Sequence, residues 1–157
     1  MVGSIVCGID DSESAKGAAR VARALAGELG LGLVFVSVLE PDAPEARASA
    51  IAERLERLTS GATDVDCGAG WLVQAGHPAD CLAAVARATC AAMIVVGSAG
   101  ARSPLLGSIS ADLSRRAPCP VVVVPPGADA PVNGHSRAPG DRAVVDRLTA
   151  VGRNGRD

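Results

Sequence analysis

Short apolar runs alternate with amphipathic stretches along the first 126 residues of the chain. The runs are β-prone and are bounded by Gly, Pro, Asp or Ser, a pattern that predicts strands. Five such runs occur, at residues 4–9, 33–39, 71–75, 93–96 and 121–124. Strands that alternate with helices form a parallel sheet covered on both faces, and continuous apolar runs are typical of strands buried on both faces. The pattern therefore predicts an α/β fold.

The segments between these runs predict four helices. The first follows the N-cap cluster "DDSES" and ends at Gly30, and the second begins near Pro44. The third starts at His77-Pro78, where we interpret His77 as a helix-start residue, and the fourth covers residues 108–117. The buried stripe expected on the first helix consists of Ala18, Val21, Ala22, Leu25 and Leu29.

Composition narrows the class of protein. The 157 residues are 48% hydrophobic and 20% charged with a net charge of −2, which indicates a globular domain that has neither nucleic acid nor a membrane as its partner. No apolar run reaches the roughly 20 residues of a membrane span, and no secretory signal is visible, so we expect a cytoplasmic protein. The domain is expected to cover residues 1–126, followed by a Pro- and Gly-rich flexible tail at 127–157.

Motifs for catalysis or for a resident metal do not stand out. The five cysteines show neither C-x-x-C spacing nor a histidine at ligand spacing, so we expect five passive thiols and no zinc site. No Ser-His-Asp spacing, nucleophile elbow or paired-carboxylate motif stands out either. Dedicated catalysis therefore lacks a visible nucleophile and base.

A glycine-rich segment, "VVGSAGARSPLLGSIS", connects the fourth strand to the fourth helix. It contains neither G-K-[ST] nor G-x-G-x-x-G. Gly97 and Gly100 remove side chains where a backbone approaches a ligand, and Gly107 precedes a helix whose free N–H groups attract phosphate. Ser98 and Ser108 supply hydroxyl donors, although Ser108 also suits the N-cap. A phosphate cradle and a plain connecting loop both stay open on these residues alone.

The order and spacing of six segments resemble the universal stress protein family. The resemblance extends over residues 4–126. The segments that carry it read "CGIDDSESAKGAARVA", "VSVLEP", "GHPADCLAAVA", "IVVGSAG", "LLGSIS" and "RRAPCPVVVVPP". The resemblance implies a doubly wound, Rossmann-like sheet of the adenine nucleotide alpha hydrolase-like type, with strand order 3-2-1-4-5. It also implies a homodimer that pairs its fifth strands, Val121–Val124, at the open sheet edge.

ATP-binding members of that family carry the loop pattern G-x2-G-x9-G-[ST]. The chain matches its glycines, but only six residues separate Gly100 from Gly107, three fewer than the pattern. The resemblance implies ATP or another adenine nucleotide as ligand, with Mg²⁺ accompanying the phosphates. The residues expected to contact it are Asp10, Val38, Val96, Gly97, Ser98, Gly100, Arg102, Gly107, Ser108 and Ile109.

Two expectations follow from this loop, one from its length and one from its glycines. Distal phosphates should be wrapped less tightly, which reduces the preference for ATP over ADP or AMP unless Arg102 replaces the missing contacts. Replacement of Gly97 or Gly107 by Val should abolish binding while the fold survives.

Three functions from different classes are compatible with these motifs. The first is an adenine-nucleotide-binding stress protein that acts as a sensor or regulator through nucleotide occupancy and an unidentified protein partner. The second is a nucleotide-independent dimeric scaffold with the same fold. The third, an ATP-consuming enzyme, is disfavoured because "GIDDSES" matches neither S-G-G-x-D-S nor H-I-G-H, although slow ATP hydrolysis is compatible with the loop. The retained glycines favour the first.

Overall fold

The computed structural model describes residues 3–60, 69–98 and 107–128. Strands and helices alternate along them as β1 (Ser4–Gly8), α1 (Glu13–Leu29), β2 (Gly32–Leu39), α2 (Glu45–Ser60), β3 (Ala69–Ala75), α3 (Pro78–Ala88), β4 (Ala91–Gly97), α4 (Ser108–Arg116) and β5 (Val121–Val124). The strands form one parallel sheet in the order β3-β2-β1-β4-β5. The predicted doubly wound fold is therefore confirmed.

Each face of the sheet is covered by two helices. On one face α1 and α2 pack over a core that includes the fully buried Ile5, Phe35 and Leu55. On the other face α3 and α4 pack over Ile94 and Leu113. Because β1 contributes side chains to both cores, it forms the centre of the domain, and its carboxyl end is held firmly by the packing above and below it.

The helix α1 begins and ends at well-defined caps. The Ser12 hydroxyl accepts a hydrogen bond from the Ala15 N–H at 3.1 Å and serves as the N-cap. Gly30, with φ of 64°, ends the helix in the left-handed conformation that favours glycine, which confirms the predicted stop. On α2, Glu53 and Arg57 form an ion pair one turn apart, at 3.9 Å.

The buried stripe of α1 differs from the expected one. Its buried face consists of small residues, namely Ser14, Ala15, Gly17, Ala18, Ala19, Ala22 and Ala26. Leu29, expected in the stripe, is 53% exposed, and Val21 and Leu25 are only partly buried. The reason is close packing: α1 lies against β1 and β4 at a distance that admits only small side chains, so the leucines are displaced to the flanks.

The expectation that every strand is buried on both faces is wrong for β3. This strand lies at the edge of the sheet, and Trp71 and Leu72 are 37% and 39% exposed. The helix α2 covers it thinly, because Leu55 is the only residue of α2 that is fully buried. An apolar sequence therefore marks a strand here without marking a buried one.

The chain after β5 continues to pack against the domain. Gly127 adopts a φ of 75°, the Ala128 N–H bonds to the Pro125 carbonyl at 3.3 Å, and Ala128 contacts the α1–α2 core. The remainder of the expected flexible tail, residues 129–157, lies outside the described residues. Within the described ranges, no helix is long and apolar enough to cross a membrane.

Candidate functional site

A cleft opens at the carboxyl edge of the sheet where the strand order reverses, between β1 and β4. In doubly wound sheets this switch point is the usual position of a ligand. The cleft is formed by the ends of β1, β2 and β4 and by the first turns of α1, α3 and α4. Its lining residues are Gly8, Ile9, Asp10, Ser12, Ala15, Val36, Val38, Pro78, Leu82, Val96, Gly97 and Ile109.

Among the described residues that line this cleft, Asp10 is the charged one, and two hydrogen bonds orient its carboxylate. Its Oδ1 atom accepts hydrogen bonds from the Ser12 N–H, at 2.8 Å, and from the Ser12 hydroxyl. Asp10 is exposed and lines the cleft. An oriented carboxylate of this kind is a good acceptor for paired hydroxyl groups such as those of a ribose. The helix-start role and a ligand role are compatible.

The floor of the cleft is apolar. Val36 and Val96 are buried, Val38 and Ile109 are partly exposed, and all four line the opening. A flat apolar group such as a purine base gains from burial against these side chains by roughly 25 cal/mol per Å² of apolar surface removed from water. The cleft therefore combines an apolar floor with one oriented carboxylate, a combination typical of small-molecule sites.

Gly97 lines the cleft but is glycine for a different reason than the one expected. A Cβ at this position would lie 2.6 Å from the backbone carbon and the hydroxyl of Ser14, and 2.8 Å from the Ala15 nitrogen. The end of β4 thus touches the first turn of α1 directly. Gly97→Val is therefore expected to displace the end of β4 or the first turn of α1, because the added side chain meets backbone atoms of α1, and a loss of binding in this variant would not by itself show a contact with phosphate.

Two expected loop residues, Ser98 and Ser108, occupy other roles in the described part. The Ser98 N–H bonds to the Val124 carbonyl at 2.8 Å and extends the pairing of β4 with β5. Gly107, not Ser108, is the N-cap of α4, and it has no side chain to bond the first-turn N–H groups. Ser108 is the first residue of the helix and is exposed. These amides are the anion-attracting end of α4.

The structure therefore brings together half of the residues singled out from the sequence. Asp10, Val38, Val96, Gly97 and Ile109 line one cleft, whereas Ser98, Gly107 and Ser108 are not among its lining residues. Gly100 and Arg102 lie outside the described residues. The sequence analysis did not include Pro78 and Leu82, which line the cleft from α3. The Gly-His-Pro turn after the third strand could have indicated them, because it places the start of α3 at the carboxyl edge of the sheet.

His77 is the N-cap of α3 and faces acidic side chains without entering the cleft. Its ring nitrogens lie 3.8 Å from an Asp80 oxygen and 4.0 Å from an Asp112 oxygen. The same acidic groups also pair with Arg116 and Arg115. This arrangement supports the interpretation of His77 as a helix-start residue.

The described cysteines differ in burial and in the pKa of their thiols. Burial raises the pKa of the Cys7 thiol far above its ordinary value, and desolvation raises the pKa of Cys81 and Cys119. Cys90 is exposed and adopts a φ of 49°. No group of three or more metal-ligating side chains occurs among residues 3–60, 69–98 and 107–128.

The topology and the cleft define a doubly wound α/β protein with a cleft at its switch point. A family profile described as Universal stress protein family matches residues 1–125. The chain belongs to the universal stress protein family. No curated protein sequence matches the chain.

Solved structures share this fold. The universal stress protein UspA from Lactobacillus plantarum superposes with a TM-score of 0.69 at 20% identity, covering 78% of this chain and 97% of that one. A universal stress protein in complex with cAMP gives a TM-score of 0.63 at 26% identity, covering 80% and 98%. The Archaeoglobus fulgidus universal stress protein in complex with dAMP gives 0.65 at 22% identity, covering 79% and 99%.

Proposed function

We propose that this protein binds an adenine nucleotide in the switch-point cleft and acts in a stress response through the occupancy of that cleft. One observation carries the proposal: residues from the β1–α1 turn, β2, β4 and α4 line one cleft, namely Asp10, Val38, Val96, Gly97 and Ile109. A structural neighbour at 26% identity is in complex with cAMP, which supports an adenine nucleotide as the ligand.

Each part of the nucleotide has a partner of matching chemistry. The base packs on the apolar floor formed by Val38 and Val96, and the ribose hydroxyls donate to the Asp10 carboxylate. The phosphates approach the first turn of α4, where Gly107 leaves the N–H groups without a side-chain cap. Mg²⁺ accompanying the phosphates would supply charge neutralisation there; among the described residues no group of three or more His, Cys, Asp or Glu side chains would hold it.

Titration calorimetry tests the proposal directly. The wild-type chain is titrated with ATP, ADP, AMP and cAMP, alongside Asp10→Ala and Val38→Trp. A lost hydrogen bond to a charged group is worth about 1.5–3 kcal/mol, so Asp10→Ala should weaken binding about 10- to 100-fold. Val38→Trp fills the cleft and should abolish binding. Asp42→Ala, which removes an exposed carboxylate outside the cleft, is the matched control and should bind as wild type.

The loop between Gly100 and Gly107 is three residues shorter than the family pattern, and this length sets the expected preference among ATP, ADP and AMP. Affinity for ATP should exceed that for AMP only slightly. A strong ATP preference that disappears in Arg102→Ala would instead assign the missing contacts to Arg102. If no adenine nucleotide binds and the chain still dimerises, the nucleotide-independent scaffold replaces the proposed function.

The proposed assembly is a homodimer through β5. Val121, Val122 and Val123 are only partly buried, and β5 forms one open edge of the sheet. Antiparallel pairing of two such edges satisfies their open N–H and C=O groups and covers the valines. Light scattering on the full chain and on a chain truncated after Ala128 should give a dimer in both. A full chain that is monomeric until truncated would refute the proposed dimer.

A further inference from the structure

Ser14 is a buried polar residue next to the switch-point cleft. It lies in the first turn of α1, is 5% exposed and is not among the residues that line the cleft. Its hydroxyl oxygen lies 3.1 Å from the hydroxyl oxygen of Ser12, which is within hydrogen-bond distance. Ser12 does line the cleft and orients the Asp10 carboxylate. Ser14 therefore adjoins the cleft without forming its surface.

The direction of the hydrogen bond between the two serines follows from the protons that are present. An ionised carboxylate only accepts, so the bond between Ser12 and Oδ1 of Asp10 uses the single proton of the Ser12 hydroxyl. That hydroxyl then has only its lone pairs left, and one of them accepts from the Ala15 N–H at 3.1 Å. The Ser14 hydroxyl is therefore the donor, and the second lone pair of the Ser12 oxygen is the acceptor.

Packing restricts the Ser14 hydroxyl to this arrangement. A Cβ built on Gly97 would lie 2.6 Å from the Ser14 hydroxyl oxygen, so the end of β4 packs directly against it. The backbone of Ser14 is fixed as well, because it belongs to the first turn of α1. Among the described residues, Ser12 is the hydrogen-bond partner of this hydroxyl. The hydroxyl is thus held between Gly97 and Ser12.

The three residues form a chain of hydrogen bonds that ends at the carboxylate of the cleft. Ser14 donates to Ser12, and Ser12 donates to Oδ1 of Asp10 through both its hydroxyl and its N–H. Each donor in such a chain polarises the next one, and a satisfied chain holds its members in one arrangement. A carboxylate has about four lone-pair sites, so it retains acceptor capacity after these two bonds. The remaining capacity is available to the hydroxyl groups of a ligand.

We propose that Ser14 is a positioning residue of the switch-point cleft, which orients the Asp10 carboxylate through Ser12 and so strengthens the recognition of sugar hydroxyl groups. This role rests on the proposed function, because its ligand is the adenine nucleotide assigned to that cleft. Ser14 does not line the cleft, so it acts on the ligand only through the carboxylate. Its effect is therefore confined to ligands whose sugar carries hydroxyl groups.

Titrations with AMP and with 2′,3′-dideoxyadenosine monophosphate test this role on the full-length protein, followed by NMR chemical shifts so that weak binding is also measured. Ser14→Ala should weaken AMP binding about two- to tenfold, the effect of one neutral hydrogen bond. Binding of the dideoxy ligand, whose sugar has no hydroxyl to donate to Asp10, should not change. Equal weakening of both ligands, or unchanged AMP binding, would overturn the positioning role alone. A wild-type chain that binds no AMP would refute the proposed function and this role with it.

A double-mutant cycle tests whether Ser14 acts through Ser12. Ser12→Gly removes the hydroxyl that links Ser14 to Asp10, and glycine is tolerated at the N-cap of a helix. In this background the chain of hydrogen bonds is already broken, so adding Ser14→Ala should cost no further AMP affinity. If the effects of the two substitutions add, Ser14 influences the cleft by another route and the positioning role is overturned.

Ser4→Ala is the matched control. Ser4 is a partly buried serine at the start of β1, the opposite end of that strand from the cleft, and its hydroxyl donates to the Thr89 carbonyl at 3.4 Å. This variant loses a serine hydrogen bond of the same kind and should bind AMP as the wild type does. An equal loss of AMP affinity in Ser4→Ala and Ser14→Ala would show that affinity follows general stability, and would overturn the positioning role.

Discussion

The contact between Gly97 and the first turn of α1 makes Gly97→Ala a demanding test of the packing described above. The added Cβ would lie 2.6 Å from the backbone carbon of Ser14 and 2.8 Å from the nitrogen of Ala15. Non-bonded carbon atoms prefer a separation of about 3.5–4.0 Å, so the overlap is about 1 Å. Because the opposing atoms are backbone, no rotamer change relieves it, and α1 or the end of β4 must move.

The expected cost follows from these distances. Overpacking of a well-packed interior costs about 1–3 kcal/mol, and an overlap with backbone belongs at the upper end of that range. Replacing glycine in the unfolded chain returns about 0.4–1 kcal/mol. The net destabilisation is therefore about 2 kcal/mol. At about 4 °C per kcal/mol for a domain of this size, the melting temperature should fall by about 8 °C.

Thermal and urea unfolding followed by circular dichroism measure this change. Gly27→Ala is the matched control: it lies on the exposed face of α1 and its Cβ meets nothing within 4 Å. There alanine should stabilise the helix by about 1 kcal/mol. A Gly97→Ala variant as stable as wild type would refute the close contact between β4 and α1, and would return Gly97 to the role of a glycine required only by a ligand.

Three further predictions concern the core, the thiols and one surface carboxylate. Leu55→Ala should lower the free energy of unfolding by about 3 kcal/mol, measured with urea, because Leu55 is fully buried. Leu29→Ala should change it by less than about 0.5 kcal/mol, because Leu29 is 53% exposed. Equal effects of the two substitutions would contradict the burial of Leu55. In a Cys67→Ser background, iodoacetamide should label the exposed Cys90 first and the buried Cys7 only on unfolding. Cys81 and Cys119 should react at higher pH than a free thiol, because desolvation raises the pKa of both. Mass spectrometry measures the order of labelling, and early labelling of Cys7 would contradict its burial. The hydrogen bond from Lys16 and its charge lower the pKa of Glu13. Any stability that this pair adds is therefore present at neutral pH and is lost as the pH falls through the lowered pKa. In Lys16→Ala, NMR titration should show a higher pKa for Glu13, and an unchanged pKa would exclude the pair.

The fold was largely predictable because its signals are local. The apolar runs of β1, β2 and β4 and the caps of α1 lie in the sequence at the positions where the structure has them. The strand order came from resemblance and not from the pattern, since alternation of strands and helices does not determine which strands are neighbours.

The candidate site was only partly predictable because its contacts are long-range. Pro78 and Leu82 enter the cleft only when α3 packs beside β1, and nothing near Asp10 in the sequence points to them. The true reason for Gly97 is a contact with residues more than eighty positions earlier. The exposure of β3 was not predicted for the same reason. Its apolar sequence does not show that the strand lies at the edge of the sheet, with a neighbouring strand on one side only.

The central claim is that the switch-point cleft holds an adenine nucleotide, and a crystal structure of the full chain grown with AMP tests it most directly. The base should lie against Val38 and Val96, and the ribose hydroxyls should lie within hydrogen-bond distance of the Asp10 carboxylate. AMP bound outside the switch-point cleft, or no bound AMP at a concentration that saturates its calorimetric signal, would contradict this assignment.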